Sequence, residues 1–283
     1  MSVLSETGLL AIDVGNSQVK FGWFAPQAGC TSESKPSELP IALPLLPQPD
    51  VELAVSHVDL SRDQFAAEVG AWLERLPAAE PQRFLASVHK GMAQVVRDLI
   101  LRSSSCKLHE LTAAALPLEV RVDEPELVGI DRLLCAVAAN RLRERERPAV
   151  VVSMGTACTV NLIGADGAFE GGAILPGIGM SANALHKGTS ALPLLSTAMI
   201  DTPGNAVGKS TRAAISSGLV WGTVGAVREL IDRMTQPFDK SPQVFVIGGD
   251  ATRLAGKLTG PDGPVRHVPN MVLAGIRIAA GER

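Results

Sequence analysis

The sequence predicts an α/β protein built from two related halves, and two observations support this prediction. Strand-like and helix-like stretches alternate along the 283 residues, which is typical of the α/β class. Two apolar runs of strand type also end alike, each with a polar residue two places before a glycine. The runs are Leu9–Ser17, with Gly15, and Ala149–Ala157, with Gly155, about 140 residues further on. The repeated turn predicts a duplicated fold.

In the first half, residues 9–24 predict a β-hairpin, because Val19, Phe21 and Trp23 alternate with polar or small residues. The proline-rich segment 34–50 predicts an irregular edge or loop. Further along, the pattern predicts a helix, a strand, a helix and a strand, in that order, over 62–76, 84–88, 91–102 and 108–111.

The second half begins near residue 118, so we divide the chain into lobes of 1–117 and 118–283. After the second turn, the alternation is shifted by one residue relative to the first. The predicted elements of this half are a helix over 131–147, a strand-turn-strand over 149–163, a glycine-rich loop over 171–179 with a short helix to Leu185, a helix over 209–234 and a buried-type strand over 244–247.

Composition excludes several classes of protein. Hydrophobic residues make up 46% of the chain, which is ample for buried cores. The net charge is −3 and no basic tract is interleaved with aromatics, so we expect no nucleic-acid partner. No apolar run reaches 18 residues, so we expect no membrane partner. The four cysteines form no CxxC pair and the N-terminus lacks a leader pattern, which favours the cytoplasm.

The first turn carries residues suited to a phosphate group. Asp13 ends a strand, where a carboxylate can orient a hydrated Mg²⁺ that bridges phosphates. Gly15 lets the backbone approach closely, Asn16 and Ser17 can donate to phosphate oxygens, and Lys20 can neutralise their charge. An ordinary hairpin in which Asp13 caps the turn is the alternative. The presence of a similar turn in the second half favours the phosphate interpretation and predicts a nucleotide held between two lobes.

Two later elements complete the predicted site. Gly248 and Gly249 end a buried-type strand and can admit an adenosine against bare backbone. Asp131 directly precedes an apolar helix, so it is either an N-cap or a general base that takes a proton from an attacking hydroxyl. Arg132 can bind a substrate carboxylate in bidentate fashion.

Ordered motifs over nearly the whole chain resemble type III pantothenate kinase. They are Asp13–Ser17 with Lys20, Gly129–Arg132, Met154–Thr159, Gly171–Gly177, Thr189–Pro193, Ala214–Gly218 and Ile247–Asp250. Each motif is weak by itself, but the ordered set is specific. The resemblance implies the duplicated actin-like, ribonuclease H-like ATPase fold of the acetate and sugar kinase group, with a nucleotide cleft between two lobes.

The resemblance also implies an activity and site roles. The activity is transfer of the ATP γ-phosphate to the primary hydroxyl of pantothenate, the first step of coenzyme A synthesis, in a homodimer. Asp131 is then the base, and Asp13 serves the Mg²⁺–phosphate site. By the same resemblance, the phosphate-lining residues are Gly15, Asn16, Lys20, Gly155 and Thr156, and the pantothenate contacts are Gly129, Arg132 and Thr189.

Two departures from the family concern a monovalent cation, K⁺ or NH₄⁺. Ser153 and Asn161 stand where the family usually has aspartates, and the first of these belongs to the monovalent-cation site. Because a hard cation loses most of its attraction when neutral oxygens replace a carboxylate, we expect weak or absent dependence on K⁺. Two alternative functions remain: a kinase of the same fold acting on another hydroxyl compound, and a catalytically silent nucleotide- or pantothenate-binding regulatory protein. His186 lies in the same loop-helix element as Thr189 and either reaches a polar group of the substrate or has a structural role. The other histidines, His57, His89, His109 and His267, show no ligand spacing, and the sequence assigns them no function.

Overall fold

The computed structural model describes residues 7–26, 45–77, 81–102, 107–200, 205–260 and 263–281. Most of the proline-rich segment 34–50 lies outside the described residues, as do Cys30 and Cys106. Cys135 and Cys158 are buried free thiols. None of the helices in the described part of the chain is long and apolar enough to cross a membrane.

Twelve strands and seven α-helices make up the described chain. The strands are β1 Leu9–Val14, β2 Gln18–Phe24, β3 Val51–Ser56, β4 Gln82–Ser87, β5 Leu108–Glu110, β6 Ala149–Met154, β7 Ala157–Ile163, β8 Phe169–Pro176, β9 Gln243–Ile247, β10 Thr259–Gly260, β11 Gly263–Pro264 and β12 Arg266–His267. The helices are α1 Arg62–Leu73, α2 Lys90–Arg102, α3 Ile130–Leu142, α4 Ile178–Lys187, α5 Thr211–Thr235, α6 Ala251–Leu254 and α7 Met271–Gly281.

The first unit is built on a five-stranded sheet with the order β3-β2-β1-β4-β5. β1 pairs antiparallel with β2 and parallel with β4, so it lies at the centre of the sheet. Alternate β1 residues, Leu10, Ile12 and Val14, pack with residues of α1 and α2 in one core. The other face is covered by α7 and α3, and Gly275 of α7 lies so close to the Leu134 carbonyl of α3 that a side chain would collide with it.

The second unit repeats this sheet with the order β8-β7-β6-β9-β12. β6 pairs antiparallel with β7 and parallel with β9, as β1 does with β2 and β4. One face of the sheet, including Val150, Val152 and Met154, packs against α5 in a separate core. The equivalent strand orders and directions confirm the predicted duplicated α/β fold.

The two units do not follow the linear division predicted at residue 118. One unit comprises residues 1–118, 124–142 and 270–283, and the other comprises 119–123 and 143–269. The helix α3 therefore belongs with the first sheet. The sequence could not indicate this, because α3 is held there by packing against the C-terminal helix α7, which the pattern did not predict.

Most of the glycine-rich stretch predicted as a loop over 171–179 is strand, since β8 runs to Pro176 and α4 begins at Ile178, so the loop prediction is wrong. β8 pairs antiparallel with β7 along this stretch, with a bulge between Leu162 and Ile163. Gly171 has a φ of +103°, and a side chain on Gly172 would collide with the Val160 carbonyl. These glycines serve a bulge and a close strand contact, which is a known use of glycine inside strands.

Other boundaries differ by a few residues. β3 was not predicted, because it directly follows the proline-rich segment 34–50, which looks irregular. α3 ends at Leu142, before the alternating charges that were included in the predicted helix. α1 begins as a capping box predicts, since the Ser61 hydroxyl accepts from the Gln64 N–H and the Gln64 side chain accepts from the Ser61 N–H.

Candidate active site

The predicted site residues fall into two groups, one in each unit. The first unit holds Asp13, Gly15, Asn16, Ser17, Lys20, Gly129, Asp131 and Arg132. The second unit holds Gly155, Thr156, Thr189, Gly248 and Gly249, together with Ser153.

Asp13 is a buried carboxylate near the end of the central strand β1, only 9% exposed. Its neighbours Ile12 and Val14 face the core with α1 and α2, so Asp13 faces the side covered by α3 and α7. Burial raises the pKa of Asp13 to about 7. The charge of Lys20, its cross-strand partner, opposes this shift, and the charge of Asp131 adds to it. Asp13, Lys20 and Asp131 therefore lie close together.

The turn after Asp13 is closed by a backbone hydrogen bond. The Gly15 N–H donates to the Gln18 carbonyl at 3.0 Å, and a Cβ on Gly15 would lie 3.1 Å from that oxygen. Asn16 is exposed and Ser17 is half-buried, so the tip of the turn is accessible to a ligand. Lys20 follows on β2, half-buried beside Asp13.

Asp131 is the second residue of α3, with its carboxylate folded back over the helix start. Its Oδ1 accepts the Arg132 N–H at 2.9 Å. A Cβ on Gly129 would lie 2.6 Å from the same oxygen, so a side chain there would require the carboxylate to shift. The N-cap interpretation of Asp131 is wrong in position, since the helix begins at Ile130 and Asp131 lies inside its first turn.

The charges on Asp131 and Arg132 are both affected by burial. Burial raises the pKa of Asp131, while the Arg132 N–H and guanidinium oppose the rise. Burial lowers the pKa of Arg132, and the Asp131 charge opposes that change. Cys135 lies one turn further along α3, and its buried thiol has a pKa well above the ordinary value, partly because of the charges of Asp131 and Asp13.

The second turn has a similar backbone closure, one residue shorter, and a different chemistry. The Gly155 N–H donates to the Ala157 carbonyl at 3.1 Å, and Thr156 is exposed. Ser153 occupies the place that Asp13 has in the first turn, and it pairs across the strands with Thr159. Asn161 is 1% exposed, and its amide donates to the Thr159 hydroxyl at 3.0 Å. This strand pair therefore carries neutral polar groups.

Gly248 and Gly249 differ in what surrounds them. Gly248 has a φ of +100°, and a side chain there would collide with the backbone of Met154. Gly249 is exposed, with no atom within 4 Å of the place a Cβ would take. Asp250 follows, with its N–H on the Met154 carbonyl at 3.1 Å, and burial raises the pKa of its carboxylate. Gly248 thus has a packing role, while Gly249 presents open backbone.

Thr189 and His186 lie at the end of α4, and both are exposed. The Thr189 hydroxyl donates to the Leu185 carbonyl at 2.7 Å, so its proton is engaged while its oxygen can still accept. His186 Nδ1 is 2.8 Å from the Leu192 carbonyl, which it can only contact as a donor. Both side chains help to shape this loop.

One contact at the first turn was missed by the sequence analysis. His57, 42 residues from Gly15, lies against that turn, with Nε2 3.0 Å from the Gly15 carbonyl oxygen. A lone histidine after an unpredicted strand carries no sequence signal for this contact, because the contact depends on the pairing of β3 with β2.

The donor set around Asp13 suits a magnesium ion shared with phosphates. Within the described ranges, no three His, Cys, Asp or Glu residues are grouped to hold a metal ion on their own. Mg²⁺ is commonly held by one or two carboxylates plus substrate phosphates. A buried carboxylate with a pKa near 7 and an adjacent turn open to a ligand fit that arrangement.

The fold is shared with solved structures. A conserved Baf family protein from Campylobacter jejuni matches with a TM-score of 0.57 at 17% identity, covering 96% of this chain and 98% of its own. The ethanolamine utilization protein EutJ from Carboxydothermus hydrogenoformans matches with a TM-score of 0.50 at 14% identity, over 96% and 88%. At these identities the likeness shows the fold alone.

Sequence relatives identify the family. The family model described as type III pantothenate kinase matches residues 9–233. The type III pantothenate kinase of Desulfosudis oleivorans is 32% identical over 95% of this chain and 97% of its own length. That of Alkalilimnicola ehrlichii is 32% identical over 96% and 98%. The chain belongs to the type III pantothenate kinase family, so the predicted family is confirmed.

Proposed function

We propose that this protein transfers the γ-phosphate of ATP to the primary hydroxyl of pantothenate, giving 4′-phosphopantothenate and ADP. Family membership supports the reaction. The observation that supports the site is that the charge of Asp131 contributes to the raised pKa of Asp13, which indicates that the two carboxylates lie near each other. This supports Asp131 as the base, near a carboxylate suited to a phosphate-bound metal.

In this mechanism Asp131 takes the proton of the attacking hydroxyl. As the hydroxyl oxygen bonds to the γ-phosphorus, the bond to the bridging oxygen breaks and ADP leaves. A base works best with a pKa near the working pH, and burial shifts Asp131 in that direction. Arg132 would hold the pantothenate carboxylate, with Gly129 and Thr189 as further contacts.

The remaining residues position phosphates and neutralise their charge. Phosphoryl transfer depends mostly on positioning and electrostatic stabilisation. Lys20 and the Gly15–Ser17 turn would hold phosphate oxygens, as would Gly155 and Thr156 in the second unit, with Gly248 and Gly249 beside the adenosine. Asp13 would hold Mg²⁺, which neutralises phosphate charge when bound.

The assembly and location are part of the proposal. Large apolar side chains of the second unit are exposed on β8, on α4 and in the segments after it, and exposed apolar surface is a feature of interfaces. They are Ile174, Met180, Leu194, Met199 and Val207. This supports a homodimer. We place the enzyme in the cytoplasm, with no nucleic-acid or membrane partner.

A coupled assay of ADP release tests the function. We expect ADP release that requires pantothenate and Mg²⁺, with phosphopantothenate as the product. ADP release with another hydroxyl compound alone would favour a kinase of different substrate. Nucleotide or pantothenate binding without product would favour the regulatory alternative, which the loss of two family aspartates at Ser153 and Asn161 makes worth testing.

A further inference from the structure

His57 touches the first turn at two points. It directly follows β3, and its backbone N–H donates to the Ser17 carbonyl at 3.1 Å. Its ring Nε2 lies 3.0 Å from the Gly15 carbonyl oxygen. One residue thus contacts both ends of the three-residue turn Gly15-Asn16-Ser17.

The chemistry of the ring contact fixes the proton on Nε2. A carbonyl oxygen can only accept a hydrogen bond, so Nε2 must carry the hydrogen. The ring is half-buried, which limits competition from water. The Gly15 carbonyl is thereby held toward β3 by a side-chain donor.

A second histidine packs against this ring. The His57 and His89 rings meet edge to face, with centroids 5.2 Å apart and an interplanar angle of 71°. His89 is itself held at the start of α2, because its Nδ1 accepts the Met92 N–H at 3.0 Å and its N–H donates to the Ser87 hydroxyl at 3.0 Å. The two rings therefore connect the start of α2 to the turn.

The orientation of one peptide group follows from these contacts. In a trans peptide the C=O and the following N–H point in opposite directions, and the described chain has no cis peptide. With the Gly15 carbonyl held by His57, the Asn16 N–H points away from His57. A backbone N–H at such a turn is the kind of group that binds phosphate oxygens.

We propose that His57 is a positioning residue of the nucleotide site. Its Nε2–H holds the Gly15 carbonyl, which sets the direction in which the Asn16 N–H meets a phosphate, and His89 keeps the ring in place. The inference rests on the proposed nucleotide site at this turn. It concerns nucleotide binding, so it can be measured separately from phosphoryl transfer.

Two variants that are isosteric with each other, His57→Gln and His57→Glu, test this role. In His57→Gln, a side-chain amide can still donate to the Gly15 carbonyl. In His57→Glu, the group of the same size can only accept when ionised, so it repels that oxygen. We expect His57→Glu to weaken Mg-ADP binding and to raise the KM for ATP, each about tenfold. Because the lost interaction stabilises the bound nucleotide equally in the ground state and the transition state, kcat should change by less than about threefold.

His57→Gln should keep ADP affinity within about threefold of wild type. His109 offers a matched control, because it lies on β5 at the opposite edge of the same sheet. We expect His109→Gln and His109→Glu to bind Mg-ADP equally. Calorimetric ADP binding is the main readout, and thermal unfolding checks that each variant is folded.

Each failure has its own signature. Equal ADP affinities for wild type and His57→Glu, or equal losses in the Gln and Glu variants, would overturn the inference alone. A wild-type protein that binds ADP without phosphorylating pantothenate would overturn the proposed function, and the His57 comparison would still decide the inference. A wild-type protein that binds no ADP would overturn both.

Discussion

The two glycine turns occupy equivalent places in their sheets and differ in chemistry. Each follows the central strand of a five-stranded sheet, and each glycine N–H closes its turn on a nearby carbonyl. The first turn has a buried carboxylate, Asp13, opposite Lys20, while the second has Ser153 opposite Thr159. Duplication thus preserved the strand pairing, and the charged groups are concentrated at the first turn.

The two hairpins also differ in length by one residue. Val14 pairs with Val19 across the first turn, whereas Met154 pairs with Cys158 across the second. This confirms the one-residue shift predicted from the alternation. The longer first turn is also the one that His57 contacts, through its ring nitrogen on the Gly15 carbonyl.

The largest expected effect comes from removing the carboxylate of Asp131, which we propose as the base. We predict that Asp131→Asn lowers kcat by roughly 10²–10⁴-fold, the usual range for a general base, while ATP still binds. Asp98→Asn, an exposed change on α2, serves as the control and should leave kcat unchanged. Turnover near wild type in Asp131→Asn would assign the base elsewhere.

Removing the Asp13 carboxylate should raise the free energy of unfolding while lowering the activity. The folded-state pKa of about 7 lies above that of the unfolded chain, so the folded state binds more protons between about pH 4 and 7. The free energy of unfolding therefore falls as the pH rises through that window. At pH 8, without Mg²⁺ or nucleotide, Asp13→Asn should be more stable by roughly 2–4 kcal/mol, and at pH 4 the gain should vanish.

Urea unfolding at the two pH values measures this gain, and the same variant should lose most Mg-ATP-dependent activity. An Asp13→Asn protein that is less stable than wild type at pH 8 would show that the carboxylate is well paired in the folded state. Undiminished rates at low Mg²⁺ would remove Asp13 from the metal site.

The second unit gives a matched pair of glycine substitutions. Gly248→Ala combines a positive φ with a collision against Met154, so it should lower the free energy of unfolding by at least about 2 kcal/mol. Gly249→Ala meets open space and should change it by less than about 0.5 kcal/mol. If adenosine lies against bare backbone here, Gly249→Ala should still weaken ADP binding severalfold. Unchanged ADP affinity in a stable Gly249→Ala protein would place the adenosine elsewhere.

The sequence predicted the parts of this molecule that depend on local pattern. The hairpin at Asp13 and Gly15 follows from strand alternation and a glycine turn, both of which are short-range signals. β8 was missed because Gly171 and Gly172 look like loop residues until their contacts with β7 are known. His57 and α7 were missed for the same reason, since pairing and packing between distant segments bring them to the site.

The smallest expected effect concerns K⁺ and tests the neutral residues at the second turn. Ser153 and Asn161 stand where the family pattern has carboxylates, so the strand pair at the second turn lacks those two negative charges. The side-chain amide of Asn161 donates a hydrogen bond to the Thr159 hydroxyl. Neutral oxygens hold a hard cation weakly. We therefore predict that replacing K⁺ by Na⁺ or Tris changes the rate of pantothenate phosphorylation by less than about twofold. Ser153→Asp, which restores a carboxylate at this place, should introduce dependence on K⁺. A large loss of wild-type rate without K⁺ would show that neutral groups of this chain suffice to bind the ion.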